Sequence, residues 1–152
     1  METKIGTSIY RAGCITQDKY LKGKSMRQIE KILGFQQGRF AEGMYVAILT
    51  ELPSDGEFEL AGYSQVASHR RDAKSAQSGL DVNKLKKNVL SSWQLSGPDR
   101  LVKIIPNIKH DNALDPNTQY PPGLGVPQWN LTKEKRFQII ALCKEYPNGV
   151  YQ

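Results

Sequence analysis

Cysteine and histidine are scarce in this chain of 152 residues, which has two of each. The cysteines, Cys14 and Cys143, lie near opposite ends, with neither the close spacing of a zinc site nor the density of a disulfide scaffold. Free cysteines are usually buried, so we expect two buried free thiols. The two histidines are also far apart and form a poor ligand set, so the sequence predicts no metal site.

Long apolar runs are absent as well. The longest, residues 44–49 and 139–143, are far shorter than the roughly 20 apolar residues of a membrane-spanning helix. Residues 1–10 lack the apolar segment that a signal peptide requires. We therefore expect a soluble protein without a membrane span, whose export would need another route.

Positive charge is in excess, since 21 lysine and arginine residues against 15 aspartate and glutamate residues give a net charge of +6. This excess favours an anionic partner, such as nucleic acid, a polyphosphate cofactor or an acidic protein. With 39% hydrophobic and 24% charged residues, the composition is typical of a globular protein and not of a disordered one. We expect a single folded domain over residues 1–152.

Two segments carry helix signals. In the first, Ser25 can cap the N-terminus, Gln28 completes a capping box and Gly34 can end the last turn. In the second, residues 80–93, apolar side chains recur at spacings of three and four after a possible cap at Asp81. The pattern predicts a helix at each place.

Apolar and β-branched runs predict strands at residues 7–13, 44–52, 57–67, 100–105, 126–131 and 136–143. The turn sequence PSDG joins the second and third runs and predicts a β-hairpin. The last two runs surround the charged sequence TKEK, interpreted as a turn, although the final run is also compatible with a helix. Prolines and glycines predict a long ordered loop over residues 106–127. The predicted fold class is α+β, a single domain with a mainly antiparallel sheet and two or three helices.

Three short stretches carry candidate site residues: IYRAG with Tyr10 and Arg11, GRFAEGMYVA with Gly43 and Tyr45, and YPPGLGVPQW with Gln128. Each residue also has a purely structural interpretation. Arg11 suits a surface ion pair, Tyr45 suits packing in an alternating strand, and Gln128 suits the capping of a loop. The stretch GRFAEGMYVAIL is accordingly either the edge of a hairpin or the floor of a nucleotide pocket.

In their order along the chain, IYRAG, the capped helix and the glycine-flanked Tyr45 resemble the opening of the ADP-ribosyltransferase superfamily of bacterial toxins, which includes NAD glycohydrolases. The resemblance covers roughly residues 7–48. A later strand in that superfamily carries a catalytic Glu or, in some NAD glycohydrolase toxins, a Gln, which makes Gln128 the corresponding candidate. The resemblance implies a bacterial toxin or effector domain that consumes NAD in the cytoplasm of a target cell and is neutralised by an acidic immunity protein.

The same resemblance implies catalytic roles for Arg11, Tyr45 and Gln128. Arg11 would bind phosphate, Tyr45 would stack on the nicotinamide and Gln128 would orient the ribose. Tyr10 and Gly43 join Arg11 and Tyr45 as NAD-binding candidates, the glycine because it allows close approach of backbone and ligand. The chain lacks the Ser-Thr-Ser strand and the Glu-x-Glu pair of many members, and Gln in place of Glu favours NAD hydrolysis over ADP-ribose transfer. No metal is required.

A ribonuclease is the main alternative. Metal-free cleavage of RNA needs a base, an acid and a cation, which His69, His110 and Lys109 could supply. The basic residues around positions 70–87 would then bind the phosphate backbone, although they also suit a solvated helix face.

The second alternative is a protein-binding module without catalysis. In that interpretation Trp93, Trp129 and the proline-rich loop form an interface, because aromatic residues are common hot spots of binding. The three classes differ in what they turn over: NAD, RNA or neither.

Overall fold

The structure, a computed structural model, describes residues 3–54, 56–60, 100–108, 126 and 128–152. The second predicted helix, most of the proline-rich loop and the distal part of the predicted hairpin lie outside these residues. The elements of the described part are β1 (Ser8–Gln17), a 3-10 turn (Asp18–Tyr20), α1 (Met26–Leu33), β2 (Met44–Leu49), β3 (Phe58–Leu60), β4 (Leu101–Pro106) and β5 (Gln128–Cys143).

The five described strands form one antiparallel sheet in the order β1, β4, β2, β5, β3, and β1 also pairs with β5. Four of them, β1, β4, β2 and β5, therefore close into a ring, and β3 pairs with the beginning of β5, on the same edge of β5 as β2. The result is a single domain of mostly antiparallel strands, with one α-helix in the described part of the chain. In that part no helix has the length and apolar character needed to span a membrane.

The helix signals between residues 25 and 34 are confirmed. The Ser25 hydroxyl accepts a hydrogen bond from the Gln28 backbone N–H, and the Gln28 side chain accepts one from the Ser25 N–H, which completes the capping box. Gly34 ends the helix in the left-handed conformation, with φ of 81°. Met26, Ile29 and Leu33 are buried and fix the inner face of α1 against the sheet.

Two apolar clusters make up the core, one on each face of β2. Met44, Val46 and Ile48 pack in the cluster that contains the buried face of α1. Tyr45, Ala47 and Leu49 point the other way, into a cluster that receives side chains from all four strands of the ring and so fills its interior. Each large apolar side chain that is fully buried contributes about 1.5–3 kcal/mol, which makes ring closure favourable.

The predicted β-hairpin of residues 44–67 is wrong. β2 pairs with β4 on one side and with residues 137–143 of β5 on the other, and β3 pairs with residues 129–131 of β5 and not with β2. The chain on both sides of PSDG therefore runs in one direction along the same edge of β5, because β1 occupies the other edge of β5 at both places. The stretch GRFAEGMYVAIL therefore runs into a central strand whose six residues are all buried, and it is not a hairpin edge.

The predicted turn at TKEK is also wrong, as is the alternative that residues 136–143 form a helix. These residues belong to β5, one strand of 16 residues. β1 pairs with β5 on both sides of TKEK, from Ser8 opposite Gln138 to Thr16 opposite Gln128, with an irregular register between Arg11 and Gly13. TKEK contains none of the residues that favour a tight turn, and the long partner strand keeps the chain extended.

Candidate functional site

A cleft opens where β1 and β4 separate. The two strands pair only at Thr16 with Val102 and Gln17 with Leu101. Beyond this point β1 continues along β5, and β4 continues along β2. The space between them has a volume of about 300 Å³, at the lower end of the range for small-molecule pockets.

The cleft is basic. Its charged lining residues are Arg11 on β1, Arg39 in the segment after α1 and Lys103 on β4, and none of its described lining residues is acidic. Arg39 and Lys103 are half-buried, whereas Arg11 is exposed. A concave site lined by charges of one sign focuses the electrostatic field, so this cleft attracts an anionic ligand.

Polar and apolar groups complete the lining of the cleft. Thr16, Gln128 and Asn130 contribute polar side chains, and the end of α1 contributes Leu33 and Phe35. Small-molecule sites commonly combine apolar walls with a few convergent polar groups. This combination suits a ligand that has both an anionic and a flat apolar part.

Lys103 is positioned by the backbone of β1. Its Nζ donates a hydrogen bond to the Cys14 carbonyl across the cleft, at 3.3 Å. Gly13 has φ of +93°, and a Cβ atom built on it would lie 3.1 Å from the Lys103 Nζ. Glycine at position 13 therefore both permits the left-handed backbone and leaves room for the ammonium group.

Arg11 and Gln128, two of the three predicted catalytic residues, line this same cleft. Gln128 is 4% exposed, and its Nε2 donates to the Leu33 carbonyl at 3.4 Å, which ties the start of β5 to the end of α1. The Arg11 Nη1 donates to the carbonyl of Tyr10 at 2.8 Å. The structure thus brings together two residues that lie far apart in the sequence.

The other NAD-binding candidates do not line the cleft. Tyr45 is 5% exposed, packs inside the ring, and its hydroxyl accepts a hydrogen bond from the Thr3 backbone N–H at 2.8 Å. Tyr10 is 55% exposed, next to Arg11 on a strand where successive side chains point to opposite faces. Gly43, with φ of +119°, packs against the Asn107 side chain.

His69, Lys109 and His110, the residues of the ribonuclease alternative, lie outside the described residues, as does Trp93 of the binding alternative. Trp129 lies inside the ring and is 5% exposed. Its indole Nε1 has no hydrogen-bond partner within the described part of the chain.

The segment that carries Arg39 is held by a buried carboxylate. Glu30 is fully buried on α1, and its Oε1 accepts a hydrogen bond from the Tyr146 hydroxyl at 2.7 Å. The same carboxylate accepts the backbone N–H groups of Gly38 at 3.3 Å and Phe40 at 2.9 Å, one on each side of Arg39. Burial raises the pKa of Tyr146, and so does its hydrogen bond to Glu30. Arg39 therefore projects from a loop with a fixed backbone.

A second buried carboxylate holds the junction at which β1 and β4 part. Asp18 is 2% exposed and accepts hydrogen bonds from the Arg100 Nε at 2.8 Å and from the Tyr151 hydroxyl at 2.6 Å. Burial and the bond to Asp18 raise the pKa of Tyr151 far above its usual range, so the phenol stays a donor at neutral pH. The network fixes the narrow end of the cleft.

Both cysteines are free, as predicted, but only Cys143 is buried. Burial raises the pKa of its thiol, which keeps it protonated. Cys14 is half-buried and lines the cleft. Among the described residues no group of three or more histidine, cysteine, aspartate or glutamate side chains could hold a metal ion.

Sequence reasoning missed Arg39, Lys103 and Gly13 as cleft residues. The sequence does contain a signal for Lys103, which is the only charged residue inside the apolar run LVKII. Arg39 stands within the glycine-flanked stretch that raised the question of a pocket, so the stretch contributes to the cleft through its loop and not through its strand.

Comparison of the chain with protein-family models, with curated proteins and with solved structures finds no match. The resemblance to ADP-ribosyltransferases therefore stays a prediction.

Proposed function

We propose that this protein binds NAD in the cleft between β1 and β4 and hydrolyses it to nicotinamide and ADP-ribose. The observation that supports the proposal is the meeting of Arg11 and Gln128, both candidates for NAD chemistry, in one basic cleft. The basic lining of the cleft attracts the negatively charged pyrophosphate, and the apolar wall suits a flat ring.

The reaction breaks the bond between C1′ of the ribose and the nicotinamide nitrogen. The bonding electrons leave with the nicotinamide, which becomes neutral, and a developing oxocarbenium ion forms on the ribose. Water then adds to C1′ and loses a proton, which gives ADP-ribose. The protein has to orient the ribose, hold the phosphates and provide a wall for the departing ring.

Gln128 is suited to orient the ribose, because its amide is held at Nε2 by the Leu33 carbonyl and its Oε1 can accept a hydrogen bond from a ribose hydroxyl. Phe35 takes the stacking role first assigned to Tyr45, since Phe35 lines the cleft and Tyr45 packs inside the ring. A neutral amide contributes less charge stabilisation than a carboxylate, so water and not a macromolecule is the acceptor in this proposal.

In this proposal the protein is a toxin or effector domain that acts in the cytoplasm of a target cell, where NAD is present. An acidic immunity protein is the proposed neutralising partner. Its acidity would complement the net charge of +6 and the basic cleft, and complementary charge accelerates association.

The test is nicotinamide release from NAD by the purified protein, followed by chromatography. Gln128→Ala should reduce release at least about 10-fold, because the ribose loses a positioning contact worth on the order of 1.4 kcal/mol or more. Gln138→Ala is the matched control: the same change on the exposed side of the same strand. A parallel incubation with total RNA separates the alternatives.

Release of nicotinamide by the wild type that falls in Gln128→Ala and persists in Gln138→Ala would support the proposal. Intact NAD after incubation with the folded wild type would refute it. Intact NAD beside fragmented RNA would refute it in favour of the ribonuclease alternative with His69 and His110.

A further inference from the structure

We propose that Lys103 and Arg39, and not Arg11, hold the phosphate groups of the ligand. The proposal deepens the proposed function, on which it rests for the identity of the ligand as a nucleotide. The subsite itself is defined by the positions of the two cations and can be tested with a simple anion.

Burial separates the three cleft cations into two kinds. Lys103 and Arg39 are half-buried on two different elements, strand β4 and the segment after α1. Arg11 is exposed, and its guanidinium donates to the carbonyl of its own neighbour, Tyr10. Charges that are partly removed from water are screened less, so the half-buried pair interacts more strongly with an anion between them.

The Lys103 ammonium and the backbone that carries Arg39 are also held in place before a ligand arrives. The Lys103 Nζ is drawn across the cleft by the Cys14 carbonyl, next to the space left by Gly13. Arg39 lies between Gly38 and Phe40, whose N–H groups are fixed by the buried Glu30 carboxylate. Groups that are positioned in advance lose less entropy when they bind, which raises their contribution to affinity.

The subsite lies beside the residues that act on the rest of the ligand. Phe35 lies between α1 and Arg39 in the chain, and Gln128 is tied to Leu33 at the end of α1. All of them line the same cleft. Phosphate bound by Lys103 and Arg39 therefore leaves the ribose and the flat ring within the part of the cleft that Gln128 and Phe35 line.

Arg11 has a different role in this arrangement. An exposed cation at the mouth of a basic cleft increases the rate at which an anion approaches, and this effect falls with added salt. We expect Arg11→Gln to change pyrophosphate affinity less than about 3-fold at physiological salt, because surface charge pairs contribute little there.

The experiment measures the binding of sodium pyrophosphate by isothermal titration calorimetry at constant ionic strength. Lys103→Gln should weaken binding about 10-fold to 100-fold, the range for loss of one charge-assisted hydrogen bond. Lys133→Gln is the matched control, since it removes the same charge from a lysine whose side chain is 72% exposed and does not line the cleft. Arg39→Gln, in a loop, provides a second variant if Lys103→Gln does not fold.

Wild-type affinity for pyrophosphate in both Lys103→Gln and Arg39→Gln would overturn the subsite. If Lys133→Gln weakened pyrophosphate binding as much as Lys103→Gln, the subsite would be overturned as well, because only net charge would then matter. Nicotinamide release in the same variants keeps the two proposals apart. Pyrophosphate binding that depends on Lys103, with NAD left intact by the wild type, would support the subsite while refuting the NAD proposal. Nicotinamide release that is unchanged in both variants would overturn the subsite while the NAD proposal stands.

Discussion

Replacing Glu30 by Gln should destabilise the fold by about 3–5 kcal/mol, the range for breaking a buried charged network. The carboxylate is fully buried and accepts hydrogen bonds from four donors. Its Oε1 accepts from the Tyr146 hydroxyl, the Gly38 N–H and the Arg27 guanidinium, and its Oε2 accepts from the Phe40 N–H.

The magnitude follows from the best orientation that the amide can adopt. With its oxygen at the Oε1 position, Gln keeps three donors, but its NH₂ group then faces the Phe40 N–H at a position where the wild-type distance is 2.9 Å. One charge-assisted hydrogen bond is lost, at about 1.5–3 kcal/mol, and a buried N–H group is left without a partner, at about 1–3 kcal/mol. Arg27 also loses its charged partner, at 3.2 Å in the wild type.

Urea unfolding at pH 7 measures this loss of stability. The urea concentration at the midpoint should fall, while the dependence of the free energy of unfolding on urea concentration should not change. Tyr146→Phe, which removes one donor to the carboxylate and one acceptor for the Gly38 N–H, should cost less, about 1–2 kcal/mol. Glu134→Gln, on an exposed part of β5, is the control and should stay within about 0.5 kcal/mol of the wild type. A loss below 1 kcal/mol in Glu30→Gln, roughly that of an ordinary surface change, would refute the argument that Glu30 organises the loop carrying Arg39.

Three further predictions test other parts of the fold. Ser25→Ala should lower stability by about 1 kcal/mol, because α1 loses its N-cap; an unchanged urea midpoint would contradict this. Gly13→Ala should lower the free energy of unfolding more than Gly23→Ala does in the same assay. Both positions have positive φ, but only at Gly13 does the new Cβ meet another group. Equal losses of stability would show that the space beside Lys103 does not matter. A hydrogen bond from Lys135 lowers the pKa of Glu57 from 4.5 to about 2, so the stability that Glu57 contributes is present above pH 4.5 and is lost as the pH falls toward 2. The stability difference between the wild type and Glu57→Gln should shrink over that interval, and a constant difference would argue against the ion pair.

Local signals sufficed for the helix but not for the sheet. Ser25, Gln28 and Gly34 act within one helix, so their spacing along the chain is enough to predict where the helix begins and ends. The short strand near residues 100–105 was predicted for the same reason, from its own β-branched residues. Which strand pairs with which is decided by contacts between distant residues, and the turn sequence PSDG gave the wrong partner.

The wrong prediction of a turn at TKEK has a related cause. A charged sequence between two apolar runs is typical of an exposed turn, but it also suits an exposed stretch of a long strand. Glu57 and Lys135 show how the charges are used instead, since their side chains pair at 2.8 Å between the residue before β3 and the middle of β5. Only the pairing of β1 with β5 on both sides of TKEK distinguishes the two interpretations, and that pairing is not visible from the sequence of either strand alone.

The candidate site was predicted in part. Arg11 and Gln128 were identified through a resemblance, and they line one cleft; Lys103 and Arg39 were missed because the cleft exists only where β1 and β4 separate. The point of separation depends on the register of two strand pairs and on the Asp18 network that holds their junction. No spacing in the sequence encodes it.

Tyr45 shows most clearly why the choice of face could not be made from the sequence. A strand with one buried face alternates apolar and polar residues, and the alternation tells which side chains share a side. β2 is buried at all six positions, so its pattern is apolar throughout and carries no such information. The closure of the ring places Tyr45 inside and Val46 toward α1. A tyrosine in a strand with two buried faces is therefore as consistent with core packing as with ligand stacking, and its hydroxyl, satisfied by the Thr3 N–H, favours packing.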